Sequence, residues 1–285
     1  MVFMKIAVFL NPTKPGIFEY AKEVVQKLIN LGVDVSFYED YGQESFGENV
    51  CWNKNIVEFV KYCDIILTIG GDGTIIHMAK YAAKYSKLIL GINFGRVGFV
   101  TELERNETDK LERLARGEYE IQERSLLEVL VYKNGCAKEF LAVNDAVICR
   151  GENTKIIDIS ARLNSKEVCH YRADGLIMAT ATGSTAYSMS AGGPIISPEL
   201  NCVLFTPICS HSMFSRPIVF SGDKTLDIYS TAKDFGNISL SIDGKNALNL
   251  TDFDKISVRS AKQKVKLITF SDRSFYKRVS EKLMT

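Results

Sequence analysis

The chain has 285 residues, of which 46% are hydrophobic and 24% charged, and this composition excludes a mostly disordered protein. With 35 basic and 34 acidic residues the net charge is +1, so the total shows no electrostatic footprint for a nucleic acid or an anionic membrane. The length is sufficient for two domains, each with its own core.

The seven cysteines are odd in number and scattered, and they include no C-x-x-C pair. This pattern argues against a zinc site or a disulfide framework and favours a reducing compartment. The N-terminus runs directly into a strand pattern without the features of a signal peptide, and no apolar run approaches the length of a membrane span. We therefore expect a cytoplasmic protein with neither a membrane nor a nucleic-acid partner.

Strand and helix patterns alternate along the first hundred residues. An apolar strand at 5–10 precedes helical spacing at 18–31, a second strand at 33–38 and a polar segment at 40–49 that we predict as a loop. A short helix is predicted at 56–63. This alternation favours βαβ units around a parallel sheet, which is an α/β fold.

The sequence Gly-Gly-Asp-Gly-Thr at 70–74 follows a continuous apolar strand and precedes a helical pattern. Strand, glycine turn and helix together build a phosphate-binding loop, because backbone without side chains lets N–H groups reach an anion. Asp72 would repel phosphate unless a metal ion intervenes or the carboxylate performs proton chemistry. The alternative is a tight turn in which Asp72 serves as a helix N-cap.

A second glycine-rich turn, Gly91 to Phe99, follows the next apolar strand, which we predict at 87–93. Neither turn has the G-x-G-x-x-G spacing of dinucleotide-binding proteins or the P-loop pattern. Because the carboxyl ends of parallel strands meet at one edge of a sheet, the two turns suggest the mouth of one site. Two unrelated tight turns are the alternative.

After a charged helix predicted at 108–119, the pattern changes to period-2 alternation with hairpin signals such as Asn134-Gly135. We predict a second, mostly antiparallel β domain that starts near residue 100. The segment 265–283 reverts to a strand followed by a helix. Its composition leaves open whether it completes the β domain or crosses back to the first domain.

Two polar stretches of this second region suggest a nucleotide site. Asn144-Asp145 falls within an apolar strand predicted at 141–148. Polar groups are costly to bury there without partners. The two interpretations are that these residues contact ligand hydroxyls or that they form internal hydrogen bonds. The stretch Thr182 to Pro194 combines small hydroxyl residues, glycines and Tyr187. It fits a backbone-rich cradle for a nucleobase and ribose, or else a helix start capped by Ser and Thr.

In these stretches and their order, the chain resembles the NAD kinase family over nearly its whole length. The stretches 207–212, 216–217 and 242–245 contribute to the resemblance. Gly-Gly-Asp-Gly alone is a weak signal, because diacylglycerol and sphingosine kinases and phosphofructokinases share it. Thr-Gly-Ser-Thr-Ala-Tyr-Ser, followed by Ala-Gly-Gly-Pro, is far more specific.

The resemblance implies transfer of the γ-phosphoryl group of ATP to the 2′-hydroxyl of the adenosine ribose of NAD, which gives NADP. It implies an N-terminal α/β domain of residues 1–99 and 266–285, and a β-rich domain of residues 100–265 that also mediates oligomerisation. The last segment would thus cross back to the first domain. A homodimer or homotetramer is expected, with Mg²⁺ or another divalent cation bound to ATP and no direct protein cage for the metal.

The resemblance also implies roles for individual residues. Asp72 would be the general base that accepts the ribose proton. The residues expected at the phosphates of ATP are Gly70, Gly71, Gly73, Thr74 and Arg96. The residues expected to bind NAD are Gly73, His77, Phe99, Asn144, Asp145, Lys155, Arg172, Asp174, Thr185, Ala186, Tyr187, Ser188, Ser190 and Lys245.

Within that set, Asn144 and Asp145 would hold ribose hydroxyls, and 185–190 would line the adenine and nicotinamide pockets. Asp174 would approach the nicotinamide end, with Arg172 and Lys155 supplying positive charge.

Three positions depart from the family pattern: Asp145 where Glu is common, Ala181 where Pro is common, and Lys245 where Gln is frequent.

Two other functions share part of the pattern. A lipid kinase would have the glycine motif but no Thr-Gly-Ser-Thr-Ala-Tyr stretch. A non-catalytic NAD(H)- or NADP(H)-binding sensor would keep the fold but would have no need of Asp72.

Overall fold

The computed structural model describes residues 4–38, 46, 50–53, 55–95, 98–151, 156–212, 215–232, 238–252, 254–270 and 274–283. The chain divides into two compact units, residues 1–123 with 265–285, and residues 124–264. The sequence predicted the first boundary near residue 100. The observed boundary lies later because Leu111 and Leu114 pack into the core of the first unit.

The first unit is built on a parallel sheet, as the alternating pattern predicted. Its elements up to residue 123 are β1 (Lys5–Leu10), α1 (Ile17–Asn30), β2 (Asp34–Tyr38), β3 (Cys51–Asn53), α2 (Ile56–Tyr62), β4 (Ile65–Gly70), α3 (Asp72–Lys84), β5 (Leu88–Asn93), β6 (Leu103–Glu104) and α4 (Lys110–Ala115). The strand order is β3-β2-β1-β4-β5, every pair is parallel, and β6 pairs with β5.

Burial explains this arrangement. Every residue of β4 is buried, which is typical of a central parallel strand and explains its uninterrupted apolar sequence. Helix α1 buries one face at helical spacing, including Ile17, Ala21 and Leu28. The predicted helix at 108–119 is shorter than expected, since α4 begins at Lys110 and ends at Ala115. The loop predicted at 40–49 lies outside the described residues except for Phe46.

The second unit is mostly antiparallel β structure, as predicted. Its elements are β7 (Glu120–Lys133), β8 (Cys136–Ala142), β9 (Asp145–Arg150), β10 (Ile157–Leu163), β11 (Lys166–Ala173), β12 (Gly175–Ala179), α5 (Tyr187–Ser190), β13 (Cys202–Ile208), β14 (Ile218–Ser221), β15 (Leu226–Ala232), β16 (Ile238–Ile242) and β17 (Lys245–Leu250). Six strands form one sheet in the order β14-β13-β12-β9-β16-β17. Side chains of this sheet and of β10 and β15 share one apolar core, which includes Phe205 and Ile228.

One predicted strand of this unit is broken in the structure. The sequence predicted a continuous strand at 141–148, but β8 ends at Ala142 and pairs with β7, whereas β9 starts at Asp145 and lies in the six-stranded sheet. Val143 and Asn144 form a bend between the two strands. The Asn144-Asp145 pair therefore lies at a change of sheet and not in the middle of a strand.

The chain returns to the first unit at its C-terminal end. The strand β18 (Lys255–Thr269) begins ten residues before the strand that the sequence predicted at the start of the segment 265–283. Its residues 255–264 belong to the second unit and 265–269 to the first, where Lys266 and Leu267 pair in parallel with β5. Helix α6 (Phe275–Leu283) completes the first unit. The predicted crossing back is confirmed.

All seven cysteines are free thiols. Among the described residues, no helix combines the length and the apolar character needed to cross a membrane.

Candidate active site

Asp72 lies where β4 gives way to α3, and its carboxylate is held by the second glycine-rich turn. Oδ2 accepts a hydrogen bond from the backbone N–H of Phe99 at 2.7 Å. Oδ1 accepts from the N–H groups of Val100 at 3.1 Å and Thr101 at 3.2 Å, and from the Thr101 hydroxyl at 3.4 Å. The two glycine turns therefore meet at Asp72, as the parallel-strand argument predicted.

These hydrogen bonds leave one carboxylate oxygen with spare capacity. A carboxylate offers about four lone-pair positions, two on each oxygen. Among the described residues Oδ1 accepts three hydrogen bonds and Oδ2 accepts one. Asp72 is half-buried, so this oxygen is not sealed in the core. Oδ2 is thus the atom that could accept a proton from a ligand.

The glycines around Asp72 fall into two groups. A Cβ on Gly98 would lie 2.1 Å from Asp72 Oδ1, and one on Gly70 would lie 2.2 Å from Thr74 Oγ1, so these two glycines allow close packing. For Gly71 and Gly73 no heavy atom of the described residues lies within 4 Å of such a Cβ. These two glycines border open space, which leaves room for a ligand against the backbone.

A cavity of about 560 Å³ adjoins this open backbone. It is lined by Phe9, Leu10, Asn11, Pro12, Lys14, Tyr38, Gly71, Gly73, Thr74 and His77. The volume is typical of small-molecule sites, and the position follows the rule that open α/β sheets bind ligands at the carboxyl ends of neighbouring strands, here β1 and β4. The cavity is therefore a candidate nucleotide site.

The cavity lining includes predicted site residues and others that the sequence did not predict. His77, predicted to bind NAD, lines it together with Thr74, predicted to bind ATP. Asn11 and Lys14 were not predicted. The available signal was the Asn-Pro pair directly after β1, the strand that neighbours β4. Arg96, predicted at the phosphates, lies outside the described residues.

In the second unit, Asp243 holds the bend that carries Asn144 and Asp145. Its carboxylate accepts hydrogen bonds from the N–H groups of Val143 at 3.0 Å, Asn144 at 2.8 Å and Asp145 at 3.2 Å. Asp243 and Gly244 form the β16–β17 turn, with φ values of 46° and 75°. The sequence predicted a role for Lys245 in this stretch but none for Asp243. The Asp-Gly pair between two strands was the available signal, because this pair is typical of hairpin turns.

The 3₁₀ turn Thr182–Thr185 packs against the same bend. Thr180 donates its N–H to the carbonyl of Asn144 at 2.9 Å and its hydroxyl to the carbonyl of Val143 at 2.7 Å. A Cβ on Gly183 would lie 2.0 Å from the carbonyl oxygen of Asn144. The Thr-Gly-Ser stretch and the Asn-Asp pair therefore form one rigid local structure.

Tyr187 lies close enough to several predicted residues to be affected by their charges. Its side chain is 47% exposed. Partial burial raises the pKa of Tyr187, and the Cys149 and Cys209 thiols and the Asp145 and Asp174 carboxylates raise it further. Thr185 and Ala186 beside it are partly exposed, and Ser190 is exposed. The charges of Asp145 and Asp174 therefore act on Tyr187.

Ser188 and Asp174 have surroundings that the sequence did not predict. Ser188 is fully buried, and its hydroxyl is 2.8 Å from that of Thr206. Asp174 forms a bidentate ion pair with Arg150, with both N–O distances at 3.1 Å.

The predicted cationic residues include two with exposed side chains and one that is not described. Arg172, expected to supply charge near Asp174, has an exposed side chain on β11, and Arg150 takes that role. Lys245 is exposed at the start of β17. Lys155 lies outside the described residues.

Comparison with known proteins identifies the family. The family model for the ATP-NAD kinase N-terminal domain matches residues 6–119, and that for the ATP-NAD kinase C-terminal domain matches residues 143–270. The chain belongs to the NAD kinase family. Among its relatives, the NAD kinase of Chlorobium phaeobacteroides is 35% identical over 282 residues, which cover 99% of this chain and 97% of that protein. The NAD kinase of Heliobacterium modesticaldum is 32% identical, with 98% of each protein covered.

Solved structures of NAD kinase family members share the fold. Yeast NADH kinase complexed with NADH matches with a TM-score of 0.87 at 24% identity, over 99% of this chain and 87% of that one. An NAD kinase from Archaeoglobus fulgidus in complex with ATP matches with a TM-score of 0.76 at 24% identity, over 99% of both chains. The α/β unit with a parallel sheet and the antiparallel β unit are thus the architecture of the NAD kinase family.

Proposed function

We propose that this protein is an ATP-dependent NAD kinase. It transfers the γ-phosphoryl group of ATP to the 2′-hydroxyl of the adenosine ribose of NAD and releases NADP and ADP. One observation carries this proposal: the Asp72 carboxylate is fixed by three backbone N–H groups beside the open backbone of Gly71 and Gly73. A proton acceptor next to a phosphate-sized opening is what transfer to a hydroxyl requires.

Asp72 is proposed as the general base. A ribose hydroxyl is a weak nucleophile at neutral pH, so a positioned carboxylate that takes its proton accelerates attack. The proton passes to Oδ2 of Asp72, the ribose oxygen forms a bond to the γ-phosphorus, and the bond from that phosphorus to the ADP oxygen breaks. The N–H groups of residues 99–101 contribute by keeping the carboxylate in one orientation before the reaction.

The donor nucleotide is assigned to the cavity of the first unit. Helix α3 presents its N-terminus there, and its free N–H groups and dipole favour phosphate. Gly71, Gly73 and Thr74 supply the backbone and hydroxyl contacts, and Lys14 and His77 line the rest of the cavity. Aromatic rings of Phe9 and Tyr38 offer surfaces for a base.

A divalent cation is proposed to enter with ATP. Mg²⁺ is usually bound through substrate phosphates and one or two carboxylates, so the phosphate oxygens of ATP are proposed as its main ligands. When bound, the cation offsets the repulsion between the phosphates and Asp72.

The acceptor NAD is assigned to polar groups of the second unit. Asn144 and Asp145 are proposed to hold ribose hydroxyls, because Asp243 fixes their backbone and leaves Asn144 partly exposed. Tyr187, together with Thr185, Ala186 and Ser190, is proposed to line the base pockets. Asp174, fixed by Arg150, is proposed for the nicotinamide end.

A panel of acceptors tests this function. Purified protein is supplied with ATP, Mg²⁺ and one acceptor at a time: NAD, NADH, diacylglycerol or sphingosine, and ADP release is measured. We expect ADP release with a dinucleotide acceptor and none with either lipid. Release with a lipid alone would establish a lipid kinase, and binding of NAD without any ADP release would establish a sensor.

We also propose a cytoplasmic location and a homodimer or homotetramer. Seven free cysteines support the reducing compartment, and the family resemblance supports the assembly. Light scattering coupled to size-exclusion chromatography would give the number of subunits. A monomer would contradict the proposed dimer or tetramer.

The open glycines give a sharp test of the donor site. Gly73 is the second residue of α3, so Ala is favourable there for the helix, and its methyl group would meet no described atom within 4 Å. We expect Gly73→Ala to keep or raise the melting temperature. We also expect the KM for ATP to rise about tenfold or more, since the methyl group occupies space needed by a phosphate.

Gly70→Ala is the contrasting variant. Its methyl group would lie 2.2 Å from the Thr74 hydroxyl, so it should lower the melting temperature as well as activity. A Gly73→Ala protein with an unchanged KM for ATP would show that no phosphate lies against this turn.

A further inference from the structure

Helix α6 contacts the turn that holds Asp72 through charged side chains, one of which is buried. Arg278 is the buried residue of α6 and is 7% exposed, whereas its neighbour Tyr276 is 69% exposed. An amphipathic helix normally buries apolar residues, so a buried guanidinium at this position indicates a specific role. Arg278 pairs through Nη2 with the Glu102 carboxylate and donates through Nη1 to the carbonyl of Phe99 at 3.2 Å.

Glu102 is itself fixed on two sides. Its Oε1 accepts hydrogen bonds from the backbone N–H of Phe270 and the hydroxyl of Thr269, both at 2.9 Å. Its own N–H donates to the carbonyl of Gly91 in β5 at 3.0 Å. Only 8% of the Glu102 side chain is exposed. The negative charge of its carboxylate therefore depends on Arg278 for compensation.

Lys282, one helical turn after Arg278, holds the same residue of the turn. Its Nζ lies 3.9 Å from the centroid of the Phe99 ring, a cation–π distance. Phe99 is therefore held by α6 at its carbonyl and at its ring face, while its N–H donates to Asp72 Oδ2 at 2.7 Å. One residue thus connects α6 with the Asp72 carboxylate.

We propose that Arg278 is a positioning residue for phosphoryl transfer: it fixes the Phe99 peptide and Glu102, and through them the orientation of Asp72. The proposal rests on the proposed NAD kinase function. Without the guanidinium, the carbonyl of Phe99 loses its donor and the Glu102 carboxylate loses its counter-charge. The 98–102 turn then shifts, and Oδ2 of Asp72 no longer points at the proton that it must accept. A displacement of about 1 Å can cost about 100-fold in rate.

Three variants test the proposal. Arg278→Met removes the charge and both hydrogen bonds. Arg278→Lys keeps a charge opposite Glu102 but lacks the planar fork that can also reach Phe99. Leu114→Ala, in a fully buried residue of α4 in the same core, is the control for loss of stability alone. For each we would measure melting temperature, kcat, the KM values for NAD and ATP, and amide hydrogen exchange at residues 65–70 and 99–101.

We expect Arg278→Met to lower kcat about 10- to 100-fold, with the KM for ATP within about threefold of the wild type. Exchange should rise at 99–101 and stay unchanged at 65–70. Arg278→Lys should give an intermediate kcat, and Leu114→Ala should lower the melting temperature without lowering kcat. If Arg278→Met is insoluble, Arg278→Lys decides the question through the same kcat and exchange measurements.

Two results would overturn the proposal. One is a kcat near the wild-type value in either soluble Arg278 variant, and the other is a fall in kcat that Leu114→Ala reproduces at the same loss of melting temperature. An inactive wild-type protein would instead contradict the proposed function, so the two failures are distinguishable.

Discussion

The Asp72→Asn substitution is expected to lower kcat for NADP formation by about 10²- to 10⁴-fold, the contribution typical of a general base. The amide has no basic oxygen for the ribose proton, whereas the open glycines and the cavity that are proposed to bind ATP are unchanged. We therefore expect the affinities for ATP and NAD, measured by isothermal titration calorimetry, to stay within about threefold of the wild type.

The Asp72→Asn substitution also places an NH₂ group against backbone N–H donors of the 98–102 turn. A control is therefore needed for the effect of the substitution on the structure of this turn. Each Asp72 oxygen accepts at least one backbone N–H, and an amide nitrogen cannot accept any of them. Thr101→Val removes the hydroxyl contact at 3.4 Å, loosening the carboxylate while leaving it in place. This variant should lose less than about tenfold in kcat. Turnover of Asp72→Asn near the wild-type rate would exclude the general-base role.

Gly183→Ala is expected to disrupt the proposed NAD site more than any other methyl-sized change there. The new Cβ would lie 2.0 Å from the carbonyl oxygen, 2.5 Å from the carbonyl carbon and 2.8 Å from the Cα of Asn144. All three are backbone atoms, so no side-chain rotation relieves the clash and the Asn144 bend must move. We expect a loss of about 1–3 kcal/mol in the free energy of unfolding.

The kinetic result should be specific to the acceptor. Because Asn144 and Asp145 are proposed to hold ribose hydroxyls, the KM for NAD should rise about tenfold or more in Gly183→Ala. Gly73→Ala is the contrasting variant, since its methyl group should raise the KM for ATP without disturbing the Asn144 bend. If Gly183→Ala kept a wild-type melting temperature and KM for NAD, this packing would have no part in NAD binding.

The sequence predicted the features that depend on local pattern. The uninterrupted apolar run of β4 and the alternation of strands and helices indicated a parallel sheet, because a strand buried on both faces needs apolar residues throughout. The glycine turn at 70–74 was also predicted from local sequence, because it directly follows this apolar run. Asn134-Gly135 correctly marked the β7–β8 hairpin, since both residues adopt positive φ values of 50° and 77°.

Other features depend on partners far away in the chain. The 141–148 run is uniformly strand-forming, and it is broken because the Asp243 carboxylate, about a hundred residues later, binds three consecutive N–H groups there. Arg278 and Glu102 are 176 residues apart, so no local pattern could connect them. The burial of Ser188 was not predicted, because a short run of hydroxyl residues does not show which of them faces the interior.

The proposed transfer to the 2′-hydroxyl of NAD is tested most directly by the identity of the product formed from ATP, Mg²⁺ and NAD. Phosphorus NMR of the reaction mixture should show ADP and one new phosphomonoester, and an NADP-specific dehydrogenase should reduce the product. An NAD analogue that lacks the 2′-hydroxyl on its adenosine ribose should bind without consuming ATP. A phosphomonoester that the dehydrogenase does not recognise, or equal ATP consumption with the analogue, would contradict transfer to the 2′-hydroxyl.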